Sequence, residues 1–178
     1  MSKFILCLDI DDCILPSSHT YLGRFDDSHE ILKLNMKRIS AMLKKYDMQV
    51  FITSSWYSVL NIQEDGTLGY EREDRVNDDS HYLVDEYMNF KAIRDGLGKR
   101  VIGLSCGDRY KDISKLLNEG HRVVSLDDMD LTPDYIIKHG GEVCPTKLEE
   151  NYLFLETKGF VTNEHGYKMH NFVKKENQ

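Results

Sequence analysis

The sequence predicts an α/β fold, a three-layer α/β/α sandwich built on a mainly parallel sheet. Three observations carry that expectation. Short apolar runs alternate with amphipathic helical stretches, the first run ends abruptly in acidic residues, and a later run ends the same way. Strands that alternate with helices imply right-handed crossovers, which make the strands parallel and bring their carboxyl ends to one edge.

The first strand is Phe4-Ile5-Leu6-Cys7-Leu8, a continuous apolar run suited to burial on both faces. A polar, turn-rich stretch from Pro16 to Asp26 follows, and Asp27 with Glu30 reads as a capping box opening a helix. Ile31, Leu34, Ile39, Met42 and Leu43 form its apolar stripe. Val50-Phe51-Ile52 is the second strand; it ends in Thr53-Ser54-Ser55, hydroxyl residues that can also cap a helix beginning near Trp56. From about 61 to 81 the chain turns polar and acidic, with Asp65-Gly66 and Leu68-Gly69 as turn signals, so a small inserted loop or hairpin is expected. Tyr82 to Ile93 restores a helical pattern that stops at Gly96 and Gly98.

Val101 to Leu104 is the third strand, Asp112 to Glu119 a short helix closed by Gly120, and Val123 to Leu126 a fourth strand running into Asp127-Asp128. Tyr135-Ile136-Ile137 is expected to be the fifth. An extension from about 145 to 178 would hold a helix starting at Pro145, with Leu148, Tyr152 and Leu155 on one side, and a hairpin around His165-Gly166. The whole is expected to be one Rossmann-like domain, as 178 residues allow.

Bulk properties narrow the function. A net charge of -7 disfavours a broad nucleic-acid-binding surface, which needs clustered Lys and Arg, and favours a small anionic ligand over a polymer. The longest apolar stretch, Phe4 to Leu8, is too short to cross a bilayer and no signal peptide is evident, so a cytoplasmic protein is expected. Cys7, Cys13, Cys106 and Cys144 are too widely separated for a zinc site and read as free, buried thiols.

The chemistry lies at the strand ends. Side chains alternate along a strand, so Asp9 and Asp11 project to the same side where the first strand leaves the core. Like charges so close raise one another's pKa, and no basic residue follows them before Arg24, so a divalent cation is the simplest remedy. Asp127-Asp128 end another strand at the same edge, and up to four carboxylates can converge. Mg²⁺ commonly takes one or two protein carboxylates and leaves the others for catalysis.

These residues, in this order, resemble the haloacid dehalogenase superfamily. The run ending in Asp9-Ile10-Asp11-Asp12 matches its first motif, Thr53 (with Ser54 as neighbour) its second, Lys111, in preference to Lys115, its third, and Asp127-Asp128 its fourth. The resemblance implies a Mg²⁺-dependent phosphatase with a minimal cap. Asp9 would be the nucleophile that forms an aspartyl phosphate, and Asp11 the general acid and base. Thr53 and Lys111 would bind and neutralise the phosphoryl group, with Asp12 and Ser54 beside the substrate and Asp9, Asp11, Asp127 and Asp128 around the metal. Asp12 and Cys13 stand where the family often has glycine and threonine, although Asp tolerates left-handed backbone. The implied substrate is a phosphorylated small molecule, such as a nucleotide, or a nucleic-acid end.

Blander readings stand beside these. Asp12 and Asp130 can be solvated, Thr53 can merely cap a helix, and Lys111 can sit in water. Two other functions gather carboxylates at parallel strand ends: a PIN-like metal-dependent nuclease, which does not require the threonine and lysine, and a receiver-like phosphoacceptor module, in which they follow in a different order.

Overall fold

A computed structural model describes residues 3–16, 25–76, 81–105 and 107–175. The chain forms an α/β fold in which a mostly parallel sheet is flanked by helices, a Rossmann-like three-layer sandwich. The central strands are β1 (Phe4–Leu8), β2 (Gln49–Ile52), β5 (Val101–Leu104), β6 (Arg122–Asp127) and β7 (Tyr152–Glu156), and their spatial order is β5-β2-β1-β6-β7. All four pairings are parallel, with Leu8 opposite both Ile52 and Leu126. The order reverses at β1, so a crevice is expected at the carboxyl ends between β1 and β6.

Strand alternation separates two cores. Leu6, Leu8, Val50, Ile52, Val124 and Leu126 face one way and pack against α1 (Phe25–Lys45), α2 (His81–Leu97) and α6 (Asn163–Lys174). Ile5, Cys7 and Val123 face the other way, toward α3 (Arg109–Asn118), α4 (Pro133–Lys138) and α5 (Pro145–Asn151). The expected insertion is a hairpin, β3 (Leu60–Ile62) and β4 (Leu68–Tyr70), turning at Gly66 with φ +82°. It docks on α2 where Tyr70 stacks on Phe90, with ring centroids 5.1 Å apart, and hydrogen-bonds Glu86.

Several elements differ from expectation. Tyr135-Ile136-Ile137 is helical, because Pro133 sits at the first turn of α4, where its fixed φ suits a helix. The fifth strand is β7 instead. The helix begun at Pro145 stops at Asn151, and the apolar run from Tyr152 continues the sheet beside β6. His165-Gly166 lies inside α6; Thr162 caps that helix, and its backbone N–H donates to His165 Nδ1 at 2.9 Å.

Asp27 and Glu30 lie within α1 and form no capping box; Glu30 pairs instead with Lys33 at 3.0 Å. The stripe of α1 runs through Leu32, Met36 and Ile39, and Leu34 is exposed. Cys7 and Cys13 are buried free thiols, but Cys144 is exposed. Cys106, most of the turn-rich stretch after Pro16, and residues 77–80 lie outside the described residues. Among the described residues no helix is long and apolar enough to cross a membrane.

Candidate active site

The ladder between the strands continues past their ends and fixes the site. The Asp9 backbone N–H donates to Leu126 O at 3.0 Å, Thr53 N–H to Leu8 O at 2.9 Å, and Ser105 N–H to Ile52 O at 2.8 Å. The residues that end β1, β2, β5 and β6 are thereby held at one level of one edge. Asp9, Asp127 and Asp128 come together there, each offering a carboxylate oxygen within 4.8 Å of the others.

This cluster is desolvated. Asp9 is 4% exposed and Asp127 is fully buried. Burial, followed by the charge of Asp127, pushes the Asp9 carboxyl up to about 8. A side-chain hydrogen bond with Asp128 raises it further, while the Arg109 guanidinium opposes the shift. Asp127 is also raised, mainly by burial, against the lowering effects of the Met129 N–H and of Arg109. Its two oxygens have separate donors: Met129 N–H reaches Oδ1 at 2.9 Å and Arg109 Nη1 reaches Oδ2 at 2.5 Å.

Arg109 is the residue that sequence reasoning missed. Its Nη1 lies 3.6 Å from Asp9 Oδ2 as well as on Asp127, bridging the two buried acids. Lys111 is not brought to the site: its side chain is 73% exposed and its Nζ pairs with Asp108 at 3.5 Å. The cause is helical geometry. Arg109 is the first residue of α3 and points across the sheet edge, while Lys111, two residues on, is turned about 200° around the axis. Lys115, a turn further along, is exposed. The available signal was Asp108, which caps α3 by accepting the Lys111 N–H at 3.2 Å and so starts the helix at Arg109, three residues before Asp112.

Asp11 stands apart from the three clustered carboxylates. Its Oδ2 accepts the Trp56 indole N–H at 3.0 Å. Its carboxyl lies above the ordinary value, through desolvation first and against the lowering effect of Trp56. Asp12 has φ +57°, a left-handed geometry that Asp tolerates, and its N–H donates to Leu15 O at 2.9 Å to close the turn after β1. Buried Asn35 holds that turn from below: its amide donates to Ile14 O at 2.7 Å and to Gly159 O at 2.8 Å, and accepts Val161 N–H at 2.9 Å. A polar residue on the buried stripe of α1 was its sequence signal.

Thr53 is 3% exposed, and its Oγ1 has no hydrogen-bond partner among the described residues. A buried hydroxyl left so is costly unless something else meets it. Ser54 is occupied structurally: its Oγ accepts Trp56 N–H at 3.4 Å and caps the one-turn 3-10 helix Ser55–Ser58. Thr53, Ser54 and Arg109 border a cavity of about 150 Å³, lined also by Ser55, Tyr57, Ser105 and Gly107.

The donor set suits a hard cation. Three carboxylate oxygens within 4.8 Å of one another are the all-oxygen kind of donor set that Mg²⁺ takes. Carboxylates with raised pKa values are relieved by a cation placed among them. Comparison with known proteins adds nothing to this geometry: no family model, no curated protein and no solved structure matches the chain.

Proposed function

We propose that this protein is a Mg²⁺-dependent phosphatase that hydrolyses a phosphomonoester through a phosphorylated Asp9. The observation that carries the proposal is the meeting of Asp9, Asp127 and Asp128 at the switch point of a parallel sheet, next to the partnerless hydroxyl of Thr53. Asp9, Asp127 and Asp128 are the residues that would hold the metal. Bound there, Mg²⁺ supplies charge that keeps the acids ionised and offsets charge developing on the phosphoryl oxygens.

The chain's own residues do the rest. An Asp9 carboxylate oxygen attacks phosphorus as the bond to the ester oxygen breaks, and Asp11 delivers its proton to that oxygen, releasing an alcohol. Asp11, now a carboxylate, takes a proton from water as the water oxygen attacks phosphorus, which frees Asp9 and inorganic phosphate. Thr53 Oγ1 donates to a phosphoryl oxygen, and Arg109 steadies Asp9 in its charged form. The substrate is a phosphorylated small molecule or a nucleic-acid end.

The test is a phosphatase screen with Mg²⁺ and with EDTA, covering mononucleotides and 3′- or 5′-phosphorylated oligonucleotides. Activity is expected only with metal, and Asp9→Asn is expected to lower kcat/KM on the order of 10⁴-fold. Full activity in Asp9→Asn removes the nucleophile and the proposal with it. Labelled RNA and DNA in the same screen separate removal of a terminal phosphate from strand cleavage.

A further inference from the structure

Trp56 has a position that no part of the proposed chemistry has yet used. It is the chain's single tryptophan, and it sits in the one-turn helix that follows directly on Thr53 and the end of β2. That helix is pinned at both ends: Ser54 accepts the Trp56 backbone N–H, and the Val59 N–H donates to Trp56 O at 2.9 Å. The indole is half-buried against the core that underlies β1 and β2. From this fixed base its Nε1 reaches Asp11 Oδ2 at 3.0 Å, across from the turn after β1.

The Asp11 backbone is fixed by its bridge to Leu15, and its side chain needs a restraint of its own. It lies on the outer side of the turn, is exposed, and stays out of the carboxylate cluster although only one residue separates it from Asp9. A general acid must present one particular oxygen, carrying the proton, to the leaving group. An N–H donor already pointing at Oδ2 opposes a second hydrogen on that oxygen, so the proton is left to Oδ1. It also restrains rotation of the carboxyl about its terminal bond, which is otherwise broad.

We infer that Trp56 is a positioning residue that holds Asp11 by Oδ2, keeps it apart from the cation-binding acids, and directs Oδ1 to the leaving group. This inference rests on the phosphatase reading for its chemistry, and on the contact alone for its geometry. In the step concerned, the Oδ1 proton passes to the ester oxygen as the phosphorus bond to that oxygen breaks and the bond to Asp9 forms. An ester whose leaving group is already a weak base needs little help from that proton. The loss of Trp56 will therefore be selective among substrates.

Two measurements test it. Trp56→Phe keeps the ring packing and removes the donor; kcat/KM, which reports steps up to release of the alcohol, is compared on an alkyl phosphate and on p-nitrophenyl phosphate. We expect a loss of about 10- to 100-fold on the alkyl ester and less than about 3-fold on the aryl ester, a fraction of what a positioned acid contributes. In the Asp11→Asn background Trp56→Phe should cost nothing more. Separately, the single indole N–H resonance of ¹⁵N-labelled protein should move upfield in Asp11→Ala.

Equal losses on both esters, or an indole resonance unmoved by Asp11→Ala, would overturn the role given to Trp56. If wild-type protein turns over neither ester, the phosphatase reading falls and the acid role with it, while the resonance still reports the contact independently.

Discussion

The two edges of the central sheet carry comparable numbers of charges and treat them in opposite ways. At the carboxyl edge, Asp9 and Asp127 are withdrawn from water and bridged by Arg109 at 3.6 and 2.5 Å. At the amino edge, Lys3, Lys44, Lys99, Arg100, Asp47 and Asp95 line a cavity of about 830 Å³, more than five times the volume beside Thr53. The pairs there are wet: Asp47 meets Arg100 at 3.2 Å with its side chain 97% exposed. Helix geometry explains Lys44, in the last turn of α1, and suits Lys99 and Arg100, which follow the end of α2, because Lys or Arg near a helix C-terminus complements its carbonyls. The arginine at the start of α3 has no such reason to be there, since the positive end of a helix disfavours a cation. Only the buried acids explain Arg109, so desolvation, and not cavity size, marks the chemical edge.

Loss of that arginine should have the largest effect. Arg109→Ala leaves the buried Asp127 and its neighbour Asp9 without their cation, and breaking such a buried pair destabilises by about 3 kcal/mol or more. Chemical denaturation in EDTA at neutral pH measures this directly, and addition of Mg²⁺ should recover part of the loss. Lys111→Ala is the matched control. That side chain meets only Asp108 at the surface, so stability and kcat/KM should both stay near wild type. If the two variants behave alike, Arg109 is not the counter-charge of the site.

What the sequence disclosed, and what it hid, follows the same division. Strands β1, β2, β5 and β6 were legible because each is an apolar run closed by a polar signal, and the meeting of Asp9 with Asp127-Asp128 followed from parallel strands sharing an edge. Arg109 was not legible, because the sequence predicts a helix beginning at Asp112 with Lys111 or Lys115 as the motif cation, and α3 begins three residues earlier, which puts a different basic side chain at the sheet edge. β7 was hidden because Leu148, Tyr152 and Leu155 satisfy a helical spacing as well as a helix followed by a strand does. The Trp56–Asp11 contact joins residues 45 apart in sequence, a pairing that only the β1–β2 register creates.

Acid titration gives a second, smaller contrast between the edges. In metal-free protein the Asp9 carboxyl is raised from 3.8 to about 8. A raised folded-state pKa means the folded state holds the proton more tightly than the unfolded chain. Its stabilisation is complete below pH 3.8 and is lost as pH climbs to about 8. The melting temperature in EDTA should therefore decline as the buffer moves from pH 5 to about 8, and level off above it. Asp9→Asn, which has no proton to lose, should flatten this decline. Saturating Mg²⁺ should do the same in wild type, with the larger thermal shift at the higher pH. A melting temperature that rises steadily over this window in EDTA would mean that the buried acids are already ionised and fully compensated.

The smallest effect belongs to the amino edge. Asp47 has φ +47°, so the informative change is Asp47→Asn, which keeps a side chain tolerant of left-handed backbone and removes only the charge. The ion pair it deletes is exposed, and Arg100 keeps its hydrogen bond to Met48 O at 3.0 Å. Stability should change by no more than about 0.5 kcal/mol, a difference that added salt should shrink. A loss approaching that of Arg109→Ala would show that the amino-edge charges are coupled into the fold as tightly as the buried ones. Charge density would then have been the better guide to function, and the 830 Å³ cavity rather than the acids at β1 and β6 would call for an explanation.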